Sequence, residues 1–157
     1  QKKKKKKKKK KKGLIFPMIT LGTGGLNGKT SYQVIKEAVL QFNYTAIDSA
    51  RLYESETAVG TLMTENKKLR SRLFLVSKVA PTHLYFQAAL DSVQQSLLAM
   101  KTNNIDLYTI HWPVCDGNLT FVDCRDNKDG KWQQAYDALS KLYGEGVILN
   151  IGLSFKK

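Results

Sequence analysis

Several polar side chains in this sequence stand at the ends of apolar runs. Asp48 follows Tyr44 to Ile47, Ser77-Lys78 follows Leu73 to Val76, and His111 follows the run that starts at Ile105. Ser154 closes the run from Val147 to Leu153, and Tyr53 lies five residues after Asp48. A titratable group just past such a run is expensive to bury without a partner. Singly, each has a bland explanation. An Asp there caps a turn or helix, a Lys snorkels to solvent, a Tyr fills core with its hydroxyl satisfied, and a lone His is structural. Gathered on one face, they could do definite chemistry. Lys78 and Asp48 can form an ion pair. An ammonium beside a phenol favours the phenolate, so Tyr53 becomes a competent general acid for an oxygen gaining negative charge. His111 can hydrogen-bond to that oxygen and orient it. The set suits reduction of a carbonyl, with a proton arriving at oxygen and hydride at carbon. No side chain donates hydride, so a cofactor must.

For the set to meet, the elements behind it must bring their ends to one side of one sheet. The runs Leu14–Leu21, Tyr44–Ile47, Leu73–Val76, Ile105–Ile110 and Val147–Leu153 read as strands. Between them lie helical patterns. Ser31–Phe42 carries Val34, Ile35, Ala38, Val39 and Phe42 on one face, and Glu56–Met63 turns Ala58, Val59 and Leu62 inward. Leu84–Met100 presents Leu90, Val93, Leu97 and Leu98 as its apolar side, and Trp132–Tyr143 is closed by Gly144. A loop of about twenty residues precedes that last helix, with Asp116-Gly117 and Asp129-Gly130 as turn signals. Strands separated by helices imply a parallel sheet with helical cover. An open doubly wound sheet and part of a (β/α)8 barrel both fit, and both gather chemistry at the carboxyl ends of their strands. The glycine-rich segment Gly22-Thr23-Gly24-Gly25-Leu26-Asn27-Gly28 lacks the Gly-x-Gly-x-x-Gly spacing of a dinucleotide fingerprint, which weakens the open-sheet reading.

Composition sets the outer limits. The 157 residues carry a formal charge of +13, but Lys2 to Lys12 are one uninterrupted run. Without that run, 15 basic residues face 13 acidic ones, a net of +2. The basicity therefore belongs to a tail, and charge gives no ground for specific nucleic-acid binding by the body. A lysine homopolymer has nothing apolar to bury, so residues 1–12 are expected to be a disordered poly-Lys tail, or an artefact of a repeated adenine codon. Residues 13–157 are expected to form one domain. No apolar run approaches the ~20 residues of a membrane span, and Pro17 with the glycine cluster breaks up a would-be signal sequence. Cys115 and Cys124 are too few for a disulfide scaffold or a four-ligand zinc site, and read as two free thiols in a loop of a cytoplasmic protein. The tripeptides Asn43-Tyr44-Thr45 and Asn118-Leu119-Thr120 are glycosylation sequons only in a secreted chain.

The chain resembles the aldo-keto reductase family. The matching segments are Leu21-Gly22-Thr23-Gly24, Ala46-Ile47-Asp48-Ser49-Ala50, Tyr53-Glu54-Ser55-Glu56 with Val59-Gly60, and Leu75-Val76-Ser77-Lys78. Ile105-Asp106-Leu107-Tyr108, Ile110-His111-Trp112-Pro113, Glu145-Gly146 and Ile151-Gly152-Leu153-Ser154 complete the series in family order. The resemblance implies an α/β fold, a (β/α)8 TIM-barrel fragment of about five parallel βα units, since a complete barrel takes ~250 residues. It implies a truncated aldo-keto reductase that reduces aldehydes or ketones to alcohols with NADPH and without metal. It implies a catalytic tetrad on Asp48, Tyr53, Lys78 and His111, with Trp112 lining the substrate pocket and Thr23, Asp48 and Ser154 near the cofactor. The Asn that family members usually place between Ser and Phe is missing, because Ser154 runs directly into Phe155. The partner expected is a small carbonyl substrate. The alternatives are a non-enzymatic nucleotide-binding relative acting as a regulatory subunit, and an inactive fragment of an incomplete gene model.

Overall fold

Parallel strands alternate with helices through the computed structural model, which describes residues 15–127 and 129–154. The expected lysine tail, Leu14 and Phe155 lie outside the described residues. The strands are β1 (Leu21–Gly22), β2 (Ala46–Asp48), β3 (Phe74–Val79), β4 (Leu107–Ile110) and β5 (Ile151–Leu153). The α-helices are α1 (Gly28–Leu40), α2 (Glu56–Glu65), α3 (Phe86–Met100) and α4 (Trp132–Glu145). A 3-10 turn, Arg51–Tyr53, joins β2 to α2. Among the described residues no helix is long and apolar enough to cross a membrane.

The sheet runs in the order β1-β2-β3-β4-β5, and every neighbouring pair is parallel. A doubly wound sheet reverses its strand order at a switch point. This one grows in a single direction, as a barrel wall does, and so settles between the two architectures that the sequence allows. Side chains alternate across it with a period of two. Ile47, Leu75, Val79, Tyr108 and Ile110 pack into one core with Ile35, Val39, Val59, Leu62, Val93 and Leu139 of the helices. The alternate positions Asp48, Val76, Lys78, Leu107 and Thr109 line the other face, with Gly152 of β5 beside Leu107 and Thr109. At the opposite end of the strands, Asp106 accepts from the Arg70 guanidinium and from the Leu75 backbone N–H, both at 2.9 Å. Asn150 Nδ2 donates to the Asp106 carbonyl at 2.9 Å. One aspartate thus fixes the register at which β3, β4 and β5 begin.

Some element ends differ from the sequence reading. The expected strand Leu14–Leu21 reduces to Leu21–Gly22, and Ile15, Met18 and Ile19 lie exposed ahead of it. Pro17 has no N–H to give a ladder. Strand β3 continues through Ser77 and Lys78 to Val79, so those two residues are in the strand rather than beyond it. The last strand shortens to Ile151–Leu153, with a separate parallel bridge from Ile105 to Ile148. Phe42 lies past the end of α1 and is exposed. Leu98 is exposed too, because α3 buries Ala89, Ser92, Val93, Ser96, Leu97 and Met100 instead. Helix α4 runs through Gly144 and stops at Gly146, whose φ of 79° is the left-handed cap a glycine adopts without cost.

Candidate active site

The sheet brings the carboxyl ends of β2, β3 and β4 side by side, and four of the expected residues meet there. Lys78 is buried, at 4% exposure, although its side chain is cationic. Its Nζ donates to Asp48 Oδ1 at 2.5 Å and to the Ser49 carbonyl at 2.9 Å. The same ammonium lies 4.5 Å from the centroid of the Tyr53 ring. Tyr53 Oη and His111 Nε2 are 3.1 Å apart, with the two rings edge to face at 5.4 Å. Asp48, Lys78, Tyr53 and His111 therefore form one continuous polar contact chain across three strands.

The turn that carries Tyr53 is held from several sides. Glu54, the next residue, has a φ of 56°, a left-handed conformation uncommon for a residue with a Cβ. Gly24 lies against the ring: a Cβ there would stand 3.4 Å from Tyr53 Cζ. Beneath the turn runs a relay of buried hydroxyls. Thr23 Oγ1 donates to the Asp48 carbonyl at 3.0 Å, and Ser55 lies 2.7 Å from both Thr23 and Ser49. Each hydroxyl has a single proton. Thr23 spends its own on Asp48, so Ser55 donates to Thr23 and Ser49 donates to Ser55.

Burial first, and then the Lys78 charge, pushes the His111 imidazole down to about 4, against a smaller opposing pull from Asp48. The ring is therefore neutral at neutral pH. Its Nδ1 has no hydrogen-bond partner among the described residues. A neutral imidazole carries one N–H, and the contact with Tyr53 fixes only that Nε2 faces the phenol.

Of the residues expected near a cofactor, Asp48 and Ser154 line a cavity of about 280 Å³ on the inner face of the sheet. Phe16, Thr20, Lys78 and Thr109 line it with them. Thr23 does not: its side chain is fully buried and committed to the hydroxyl relay. Thr109 had no signal in the sequence beyond its place in a strand. Its buried Oγ1 is left without a partner among the described residues. Trp112 follows His111 and packs against Cys115, Leu119 and Cys124, with its ring 5.9 Å from that of Phe121.

Cys115 and Cys124 are not free thiols. They form a disulfide across nine residues of the loop after β4. Backbone turns closed by Leu119 N–H on Asp116 and by Val122 N–H on Leu119 fold the loop back on itself, leaving the two Cα atoms 5.3 Å apart. Asp116-Gly117 marked the first of those turns in the sequence, but nothing in the cysteine spacing showed that the two thiols meet.

A model of the Aldo/keto reductase family matches residues 14–157. The chain is 32% identical over 143 residues to the glyoxal reductase of Bacillus subtilis, covering 90% of this chain and 46% of that protein. It is 29% identical over 141 residues to the methylglyoxal reductase DkgB of Escherichia coli O157:H7, covering 90% and 48%. Among solved structures it superposes on an aldo-keto reductase enzyme from a Medee basin deep-sea metagenome library with a TM-score of 0.72 and 29% identity, covering 89% of this chain and 46% of that one. The chain thus spans about half the length of the relatives it matches.

Proposed function

Because the chain belongs to the aldo/keto reductase family, we propose that the protein carrying it is an oxidoreductase that reduces aldehydes or ketones to alcohols with NADPH. Residues 13–157 are then one part of its barrel domain, and residues 1–12 a tail outside it. The observation that carries this reading is the contact chain from Asp48 through Lys78 and Tyr53 to His111. Tyr53 Oη is the proton donor in this account. Lys78, held by Asp48, keeps its ammonium against the Tyr53 ring. His111, neutral at neutral pH, orients the carbonyl oxygen through Nε2 once that oxygen displaces the phenol. Trp112 bounds the substrate space.

The inner wall suits a nicotinamide ring. It is largely apolar, and its polar points are Asp48, Lys78, Thr20, Ser154 and the unpartnered hydroxyl of Thr109. A carboxamide has both a donor and an acceptor to offer such hydroxyls. Asp48, Thr109 and Ser154 are the residues here that would hold the ring. When bound, the reduced nicotinamide supplies hydride to the carbonyl carbon.

Two relatives are named glyoxal reductase and methylglyoxal reductase, so small dicarbonyls are the first substrates to try. A cytoplasmic location goes with this reading, as the compartment of a reduced nicotinamide supply. The Cys115–Cys124 disulfide pulls the other way, because disulfides persist in oxidising compartments.

The test is consumption of NADPH, and separately NADH, by the complete protein in the presence of methylglyoxal and simple aldehydes, with the alcohol product identified. Turnover with a preference for NADPH is the expected result. Tight nucleotide binding without turnover would overturn the reading in favour of a non-enzymatic regulatory subunit.

A further inference from the structure

Glu56 is the first residue of α2 and is buried, at 2% exposure. One oxygen, Oε2, accepts from Arg51 Nη1 at 2.7 Å. The other, Oε1, accepts from Ser77 Oγ at 2.6 Å. Arg51 opens the 3-10 turn that ends at Tyr53, two residues on. Ser77 directly precedes Lys78 on β3. The second guanidinium arm of Arg51, Nη2, reaches Gln95 Oε1 on α3 at 3.0 Å. One carboxylate therefore joins the backbone of the tyrosine to the backbone of the lysine, on the helix side of the sheet, away from the cavity.

A charge this deeply buried costs several kcal/mol of desolvation before its partners offset it. Apolar residues of similar volume would often serve stability as well. Stability alone is thus a poor reason for an ionic bridge at this place. Both of its arms end beside residues whose mutual distance matters: the 4.5 Å between the ammonium and the phenol ring. We propose that Glu56 is a positioning residue of the proton-donating site, setting the separation of Tyr53 and Lys78 through Arg51 and Ser77. The proposal rests on the reductase reading for its consequence in turnover, but not for its effect on Tyr53 itself.

The groups that face this bridge are few. Tyr108, on β4, is fully buried, and burial first, then the Glu56 charge, pushes its phenol up to about 12. His83, beside Arg51, is held below its ordinary value by burial first and then by the Arg51 charge, against a smaller pull from Asp91. Tyr108 stays protonated and His83 neutral through the range where a catalytic phenol titrates, so neither mimics a change in Tyr53.

The test is an NMR titration of tyrosine ring carbons in the complete protein, with the Tyr53 signal assigned by its loss in Tyr53→Phe. Glu56→Gln keeps the volume and an acceptor for Ser77 while removing the charge that grips Arg51. The Tyr53 titration is expected to move to higher pH in Glu56→Gln. Turnover of a carbonyl substrate is expected to fall roughly 10²-fold, the scale of an ångström misplacement, with KM less affected. In a Tyr53→Phe background, Glu56→Gln should then cost nothing further. Should Glu56→Gln fail to fold, Ser77→Ala cuts one arm while leaving the Arg51 pair, and its Tyr53 titration is expected to move the same way. An unmoved Tyr53 titration in a folded variant overturns the proposal, whether or not the protein is a reductase. Absence of turnover in the wild type overturns the reductase reading alone, because the titration still reports on the bridge.

Discussion

His111 shows how position changes a side chain's chemistry. In water an imidazole is half protonated near pH 6.5. Here burial and the nearby Lys78 charge bring it down to about 4. Between those two values the unfolded chain binds a proton that the folded protein does not, so folded stability falls as pH drops from 6.5 toward 4. Below about 4 both states are protonated and this contribution is gone. The His111 imidazole signal is expected to titrate with a midpoint near 4 in the folded protein. His111→Gln is expected to flatten the loss of stability between pH 6.5 and 4, measured by denaturant unfolding at each pH. A midpoint near 6.5 would mean that the ring is neither buried nor close to the ammonium. Asp48, Tyr53, Lys78 and His111 were all legible in the sequence, since each stands at or near the end of an apolar run. Thr23, Ser49 and Ser55 were not legible as a relay. Thr23 and Ser55 are 32 positions apart, and a hydroxyl in a loop has no periodicity to betray its partner.

Elements were legible where a periodic apolar face was long. Helices α1, α3 and α4 follow their patterns to within a few residues, because buried positions recur at helical spacing. Ends were harder. Gly144 reads as the stop of α4, but the helix runs through it and takes its left-handed cap at Gly146. The loop after β4 was the least legible element, because its order comes from a cross-link and not from a repeat. Closing a loop of this length with a disulfide is worth about 3 kcal/mol in the chain-entropy picture. The bond anchors the small cluster on which Trp112 rests. Alkylation of the denatured, unreduced protein is therefore expected to label neither Cys115 nor Cys124, and prior reduction should expose both. Cys115→Ser with Cys124→Ser is expected to raise KM for the carbonyl substrate, as Trp112 loses its backing, while the Tyr53 titration stays put. Full labelling without reduction would restore the free-thiol reading.

At the scale of the whole molecule, consecutive parallel strand order is what makes four scattered side chains into one site. Each βα unit adds a strand beside the last, so the residues at neighbouring strand ends become neighbours in space whatever their distance in the chain. Net charge plays no part in this. The body is nearly neutral once the lysine run is set aside, and its fold follows from apolar burial on the helix side. The inner face keeps the polar groups, and the reductase account depends on Tyr53 giving up its proton there. Tyr53→Phe removes the hydroxyl and keeps the ring that packs against Gly24 and Lys78. The decisive measurement is the NADPH-dependent reduction of methylglyoxal by the complete protein, wild type against Tyr53→Phe, with cofactor affinity measured alongside. Turnover is expected to fall by the ~10²–10⁴-fold that loss of a general acid costs, with NADPH affinity nearly unchanged. Turnover by Tyr53→Phe close to that of the wild type would contradict the account.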